Sequence, residues 1–145
     1  MEQIYIKDLK TTKEFASKFA KMLKGGEIIL LNGDLGAGKT TFTRYVLQCL
    51  GVKDNVASPT FTIMREYKTK TFNILHFDMY RISSSDEAIA FGMDEFIYNM
   101  DKNKILFIEW SENVKDILPQ KCINVDIKLV NDNERMFIVK GLLGD

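Results

Sequence analysis

"GDLGAGKTT", residues 33–41, is the stretch that decides the fold. It matches G-x-x-x-x-G-K-[ST] at every fixed position, with the apolar run "EIILLNG" (27–33) before it and the helical pattern "KTTFTRYVLQCLG" (39–51) after it. Typical residue frequencies would produce the four fixed positions by chance in fewer than roughly one chain of this length in a hundred. The chemistry explains each residue type. Gly33, Gly36 and Gly38 admit backbone conformations closed to other residues, so successive N–H groups converge on phosphate oxygens at a helix N-terminus whose dipole also favours anions. Lys39 is suited to neutralise β and γ oxygens, Thr40 to offer a hydroxyl to magnesium, and Thr41 to support the α-phosphate or the helix start. The stretch predicts nucleotide binding.

Outward from the loop, elements alternate. "TTKEFASKFAKMLKGG" (11–26) sets Phe15, Phe19 and Met22/Leu23 on one face, predicting an amphipathic helix with Thr11 or Thr12 as N-cap and Gly25 just past its end. "TFTIMREY" (60–67) and "TFNILHFDMYR" (71–81), joined by "KTK", predict an antiparallel hairpin whose turn lacks Asn-Gly chemistry. "SSDEAIAFGMDEFIYNM" (84–100) carries a capping box from Ser84 to Glu87 and predicts two short helices broken near Gly92. "KILFIEW" (104–110) reads as a buried strand, and "CINVDIKLV" and "RMFIVKG" around "NDNE" read as a second hairpin. The expected architecture is a single α/β P-loop NTPase domain over 1–145, with a mixed central sheet flanked by helices.

Composition agrees. The chain has 145 residues, 46% of them hydrophobic, enough for a core. Lysine plus arginine balance aspartate plus glutamate at 20 each, so no basic field is available to hold nucleic acid unaided. Any RNA connection is expected to run through a partner. The opening "MEQIYIKDLKTTKEF" lacks a signal peptide's apolar core and no run approaches a membrane span, so the expected location is the cytoplasm with no membrane association. Cys49 and Cys122 match no metal spacing and read as buried thiols.

A P-loop enzyme usually draws its second metal contact from an acid at the end of a buried strand close to the loop. Two acids compete: Glu109, after the wholly apolar "ILFI" (105–108), and Asp78, in "NILHFDMY" (73–80), where polar and apolar residues alternate. The first strand reads as interior and the second as half-polar, so magnesium is assigned to Glu109 with Thr40. Asp78 could orient the attacking water or hold a metal-bound one, or it could simply pair with Arg81 or Arg65. His76 reads as a hydrogen-bonded structural group, and Trp110 and Tyr80 as packing.

No N/T-K-x-D stretch exists to read guanine, which favours adenine. A small-molecule or nucleotide kinase would need an arginine-bearing lid and an acceptor insertion, whereas this chain has Arg44, Arg65, Arg81 and Arg135 and little length to spare. No arginine announces itself as a finger for the γ-phosphate, and without one a P-loop hydrolase turns over slowly. A slow, partner-activated ATPase and a nucleotide-gated binding module both remain open.

"GDLGAGKTTFTR", "SPTFTI" (58–63), "HFDMYRI" (76–82) and "IEWSE" (108–112), in this order and at these separations, resemble the TsaE family, also called YjeE. The resemblance spans essentially the whole chain. It implies a bacterial ATPase that uses ATP/ADP and Mg2+, binds the TsaB and TsaD proteins, and supports tRNA threonylcarbamoyladenosine modification without transferring the threonylcarbamoyl group itself. It further implies that Asp34, Leu35, Gly36, Ala37, Gly38, Lys39 and Thr41 bind phosphates, that Thr40 and Glu109 ligate magnesium, and that Asp78 is needed for hydrolysis. Ser58 and Thr60 would form a switch-like segment near the γ-phosphate, stiffened by Pro59. Thr12 and Arg135 would flank the adenine. "NDNERMF" departs from the Gly-Arg common at the family's last hairpin, and Met79 stands where leucine is frequent.

Overall fold

In chain order, the protein forms β1 (Glu2–Ile6), α1 (Leu9–Met22), β2 (Ile28–Asn32), α2 (Lys39–Cys49), β3 (Met64–Lys68) and β4 (Asn73–Asp78). It continues with α3 (Ser85–Ala90), α4 (Met93–Tyr98), β5 (Lys104–Glu109), a 3-10 stretch at Ser111–Ile117, β6 (Ile123–Leu129) and β7 (Arg135–Lys140). This computed structural model describes residues 1–34 and 36–141. All seven strands lie in one mixed sheet, ordered β1-β7-β6-β2-β5-β4-β3. The four inner strands β6, β2, β5 and β4 run parallel, and antiparallel strands finish both edges. The apolar run before the loop thus becomes a central strand, as its lack of alternation requires.

Each sheet face carries its own core. Phe15 and Phe19 of α1 and Phe42, Val46 and Leu47 of α2 pack on Ile29, Leu31, Phe107 and Val125. On the other face Ala88 of α3 and Met93 and Ile97 of α4 cover Leu30, Leu75, Phe77, Leu106 and Ile108. Alternation then places the site. Ile74 of β4 and Ile105 and Phe107 of β5 belong to the α1–α2 side, so His76 and Asp78, two and four residues beyond Ile74, and Glu109, two beyond Phe107, point the same way. The register sets Asp78 directly beside Glu109.

Several expectations are corrected. α1 starts three residues earlier than the Thr11/Thr12 reading allows. Its N-cap is Asp8, whose carboxylate accepts Thr11 N–H at 2.8 Å and the Thr11 hydroxyl at 2.7 Å, an arrangement that also holds the Asp8 pKa below the usual carboxylate value. β1, whose short Ile4/Ile6 alternation drew no assignment, pairs with β7. β4 is not half-exposed: it is flanked by β3 and β5, and every residue from Ile74 to Asp78 is buried. Its buried polar residues alternate because Asp78 lines a cleft beside the loop and His76 packs against Glu109 of β5, neither meeting bulk solvent. Cys49 is exposed on the last residue of α2, whereas Cys122 is buried.

Other expectations hold with added detail. The β3–β4 hairpin forms, although β3 begins only at Met64 and residues 60–63 turn instead of extending it; it needs no Asn-Gly because the Thr69 hydroxyl accepts the N–H groups of Thr71 and Phe72, at 3.2 and 2.9 Å. In the last hairpin the Asn131 side chain does the same for Asn133 and Glu134, at 3.0 and 2.9 Å. Ser84 caps α3 by accepting Glu87 N–H, while the Glu87 carboxylate turns to the Ser83 hydroxyl. Among the described residues, no helix is long and apolar enough to cross a membrane.

Phe42 links the phosphate-loop helix to this frame. Fully buried, it stacks on Phe15 at 5.6 Å between ring centroids and meets Phe19 and Phe137 edge-on at 5.3 and 5.2 Å. Phe42→Ala is expected to cost about 3–5 kcal/mol of unfolding free energy, measured by urea denaturation.

Candidate nucleotide site

The loop between β2 and α2 is shaped by two glycines in particular. A Cβ on Gly33 would stand 2.7 Å from the Ile127 carbonyl, so the loop can leave β2 only where β6 permits its approach. Gly38, at φ 108°, is the N-cap of α2 with no side chain closing that helix end, and the space its Cβ would enter is free of other atoms to 4 Å. A helix N-terminus left uncapped in this way favours anions through its free N–H groups and dipole. Gly36, Ala37, Gly38, Lys39, Thr40 and Thr41 line a cleft of about 360 Å³ with Asp34, Glu109 and Asp78 at its borders. Leu35 lies outside the described residues.

Lys39 is only 6% exposed, and its ammonium donates to the carbonyls of Gly33 and Asp34, the latter at 3.3 Å. It also lies 4.2 Å from the centroid of the Trp110 ring. Burial pushes its pKa down, and the charges of Glu109, Glu112, Asp78 and Asp34 pull it back up. A buried ammonium whose contacts are carbonyl oxygens and a ring face is poised to exchange them for a stronger anionic partner.

The two acids occupy different settings. Glu109 accepts the Thr40 hydroxyl at 3.3 Å on Oε1 and 3.2 Å on Oε2, and His76 Nε2 lies 2.7 Å from its Oε2. Asp78 does not reach Thr40. Its Oδ2 accepts the hydroxyls of Ser58 and Thr60, each at 2.7 Å, and its Oδ1 accepts Tyr80 N–H at 2.9 Å. Neither alternative partner for Asp78 takes that place: the Arg65 guanidinium lies over Tyr67 and that of Arg81 over Phe61.

Thr40 and Glu109 fit a magnesium ion. A hydroxyl and a carboxylate are the hard oxygen donors this ion prefers, and two ligands at about 2.1 Å and right angles stand about 3 Å apart, close to the 3.3 and 3.2 Å from the Thr40 hydroxyl to Glu109 Oε1 and Oε2. A second cleft, of about 810 Å³, adjoins the first across Gly36–Gly38 and Thr41 and holds both Thr12 and Arg135. Arg135 Nε donates to the Ala37 carbonyl at 2.9 Å, tying the last hairpin to the loop. The Thr12 hydroxyl is turned back to the Asp8 carbonyl, at 3.2 Å.

Comparison with known proteins decides the family. The sequence model described as "Threonylcarbamoyl adenosine biosynthesis protein TsaE" matches residues 6–137. The chain belongs to the TsaE family. The TsaE of Rickettsia typhi is 44% identical over 132 residues, covering 90% of this chain and 89% of that one, and the TsaE of Bacillus subtilis is 39% identical over 124 residues, covering 86% and 75%. The crystal structure of Bacillus subtilis YdiB superposes with a TM-score of 0.79 at 30% identity, covering 97% of this chain and 85% of that one. The resemblance drawn from four motifs thus extends across the TsaE-family fold.

Sequence reasoning missed part of this TsaE-family site. Trp110, read as packing, has its ring under the Lys39 ammonium, and the Tyr80 ring meets it at a tilt of 53° with centroids 5.0 Å apart. Asn32 and Asp126 were not singled out, yet the Asn32 amide donates to Asp126 at 2.8 Å and its carbonyl accepts the Ser111 hydroxyl at 3.2 Å, bracing the end of β2 from both sides. The available signal was position: each is the last or nearly last polar residue of a strand adjoining the loop. Ile63 and Trp110, with φ of 70° and 57°, are the non-glycine residues in left-handed backbone among those described, and both adjoin the acids. Ile63 accepts Asp78 N–H at 2.9 Å, and Trp110 directly follows Glu109.

Removing the Glu109 carboxylate leaves His76 Nε2 buried without its partner. Glu109→Ala is therefore expected to lower stability by roughly 1–3 kcal/mol in urea denaturation without ligand.

Proposed function

We propose that this TsaE-family chain is a P-loop ATPase acting in tRNA threonylcarbamoyladenosine biosynthesis. In this reading it binds Mg–ATP at the α2 N-terminus and uses binding and hydrolysis to engage and reset a TsaB–TsaD complex. The observation that carries the reading is the meeting of Thr40, next to Lys39 in the first turn of α2, with Glu109 at the carboxyl end of β5, the parallel neighbour of β2. ATP/ADP and magnesium are the ligands that this chemistry suits.

Each residue then has a task. The backbone of Gly36, Ala37 and Gly38 cradles the phosphates beside Asp34, Lys39 neutralises β and γ oxygens, and Thr41 supports the α-phosphate. Thr40 and Glu109 hold the magnesium, which when bound spreads phosphate charge. Thr12 and Arg135 border the larger cleft, where the base would lie. Asp78 orients the attacking water, with one condition: its oxygens already accept Ser58, Thr60 and the Tyr80 N–H. Of its four acceptor positions only one, on Oδ1, is left for the water unless the hydroxyls shift. That supports slow turnover by the chain alone and a rise when a partner reorders residues 58–63. The balanced charge supports reaching tRNA only through TsaB and TsaD.

Two measurements test the reading. In calorimetry, Lys39→Ala should lose tight ATP binding, whereas Asp78→Asn should keep it and lower turnover at least tenfold; unchanged affinity in Lys39→Ala would defeat the assignment. Steady-state ATPase assays should show slow phosphate release by the chain alone and several-fold faster release with TsaB and TsaD added. Partner binding with no such rise would favour the nucleotide-gated binding module, to which the three donors already on Asp78 also lend weight.

A further inference from the structure

His76 does more than fill space. It is fully buried in β4, its Nε2 lies 2.7 Å from Glu109 Oε2, and among the described residues its Nδ1 is buried with no hydrogen-bond partner. These facts fix the tautomer. A proton on Nδ1 would be a buried donor with no acceptor and would turn the Nε2 lone pair toward a carboxylate oxygen. With the proton on Nε2, the ring donates to Glu109, and the group left unpaired is an acceptor, the less costly of the two.

The consequence falls on Glu109. Its Oε2 is shared between His76 and the Thr40 hydroxyl, while Oε1 has the longer Thr40 contact of 3.3 Å alone. Oε2 is thereby held by two donors, and Oε1 keeps the greater acceptor capacity beside Thr40. The carboxylate cannot rotate freely, because turning it would break the 2.7 Å bond inside a strand pair that is buried on both sides.

We propose that His76 is a positioning residue for magnesium. Its Nε2–H pins Glu109 Oε2 so that Oε1 is presented beside Thr40 before the ion arrives. The inference rests on the Mg–ATP reading above and adds a role for a residue that touches neither metal nor nucleotide. An acid pinned in advance loses less freedom on binding the ion, and groups that orient a metal ligand in this way typically change metal affinity by about 10–100-fold when removed.

The test uses the full-length chain and a non-hydrolysable ATP analogue, with affinity measured by calorimetry in EDTA and in saturating magnesium. The ratio of the two affinities is the magnesium enhancement. His76→Phe and His76→Asn should lower that ratio about tenfold or more while leaving the affinity in EDTA unchanged. His76→Gln, whose amide nitrogen lies where Nε2 does, should restore most of it. In a Glu109→Gln background, His76→Phe should cause no further loss, since the carboxylate through which it acts is gone. A wild-type ratio in His76→Phe, an equal loss in EDTA, or a His76→Gln variant as weak as His76→Phe would each overturn the proposal. Should His76→Phe fail to fold, the comparison of His76→Gln with His76→Asn decides. A wild-type chain without magnesium enhancement would instead overturn the Mg–ATP reading itself, and the role of His76 with it.

Discussion

The register between β4 and β5 is the constraint on which the site depends. Asp78 stands opposite Glu109 in a parallel ladder, and both point toward α2 because a strand gives alternate residues to opposite faces. A slip by one residue would turn either acid into the α3–α4 core, where the neighbours are Leu75, Phe77, Leu106 and Ile108. Those residues oppose any slip, since burying a carboxylate among them costs far more than the ladder could recover. The same apolar packing that stabilises the sheet therefore aims its two acids.

Placing two carboxylates side by side and buried is itself unfavourable, and the surroundings answer for each separately. Asp78 is met by two hydroxyls and a backbone N–H, and Glu109 by a hydroxyl and an imidazole. The nearby cation, Lys39, bonds to neither and stays on backbone carbonyls and the Trp110 ring. Hydrogen-bond donors rather than an ion pair thus keep the acids in place, which leaves the ammonium available to a ligand.

The phosphate loop and its flanking elements were legible because the chemistry leaves few residue choices: glycine where the backbone turns left-handed or meets β6, lysine for charge, threonine for a hard oxygen. Hydrophobic periodicity was equally informative for α1, α2 and β5. It misled at β4, because alternation reports that one face is polar without saying whether that face meets water or a site. The α1 cap was misplaced because Thr11 and Asp8 both suit a cap, and only the geometry shows the threonine serving as donor to the aspartate. His76 was beyond reach for another reason. Its partner lies 33 residues away, and a lone histidine carries no local signal of a contact made across strands.

The central position of β2 has a consequence for the order in which the protein can mature. The loop hangs from a strand that pairs with β5 on one side and β6 on the other, through contacts such as Leu31 with Glu109 and Asn32 with Asp126. None of those partners exists until the ribosome has made most of the chain, well after the loop itself has emerged. A nascent chain carries the phosphate motif early and the means to hold it late. Under the proposed Mg–ATP reading, nucleotide that favours the finished loop over the open chain would act on the last stage of maturation, drawing completed molecules toward the folded state by mass action.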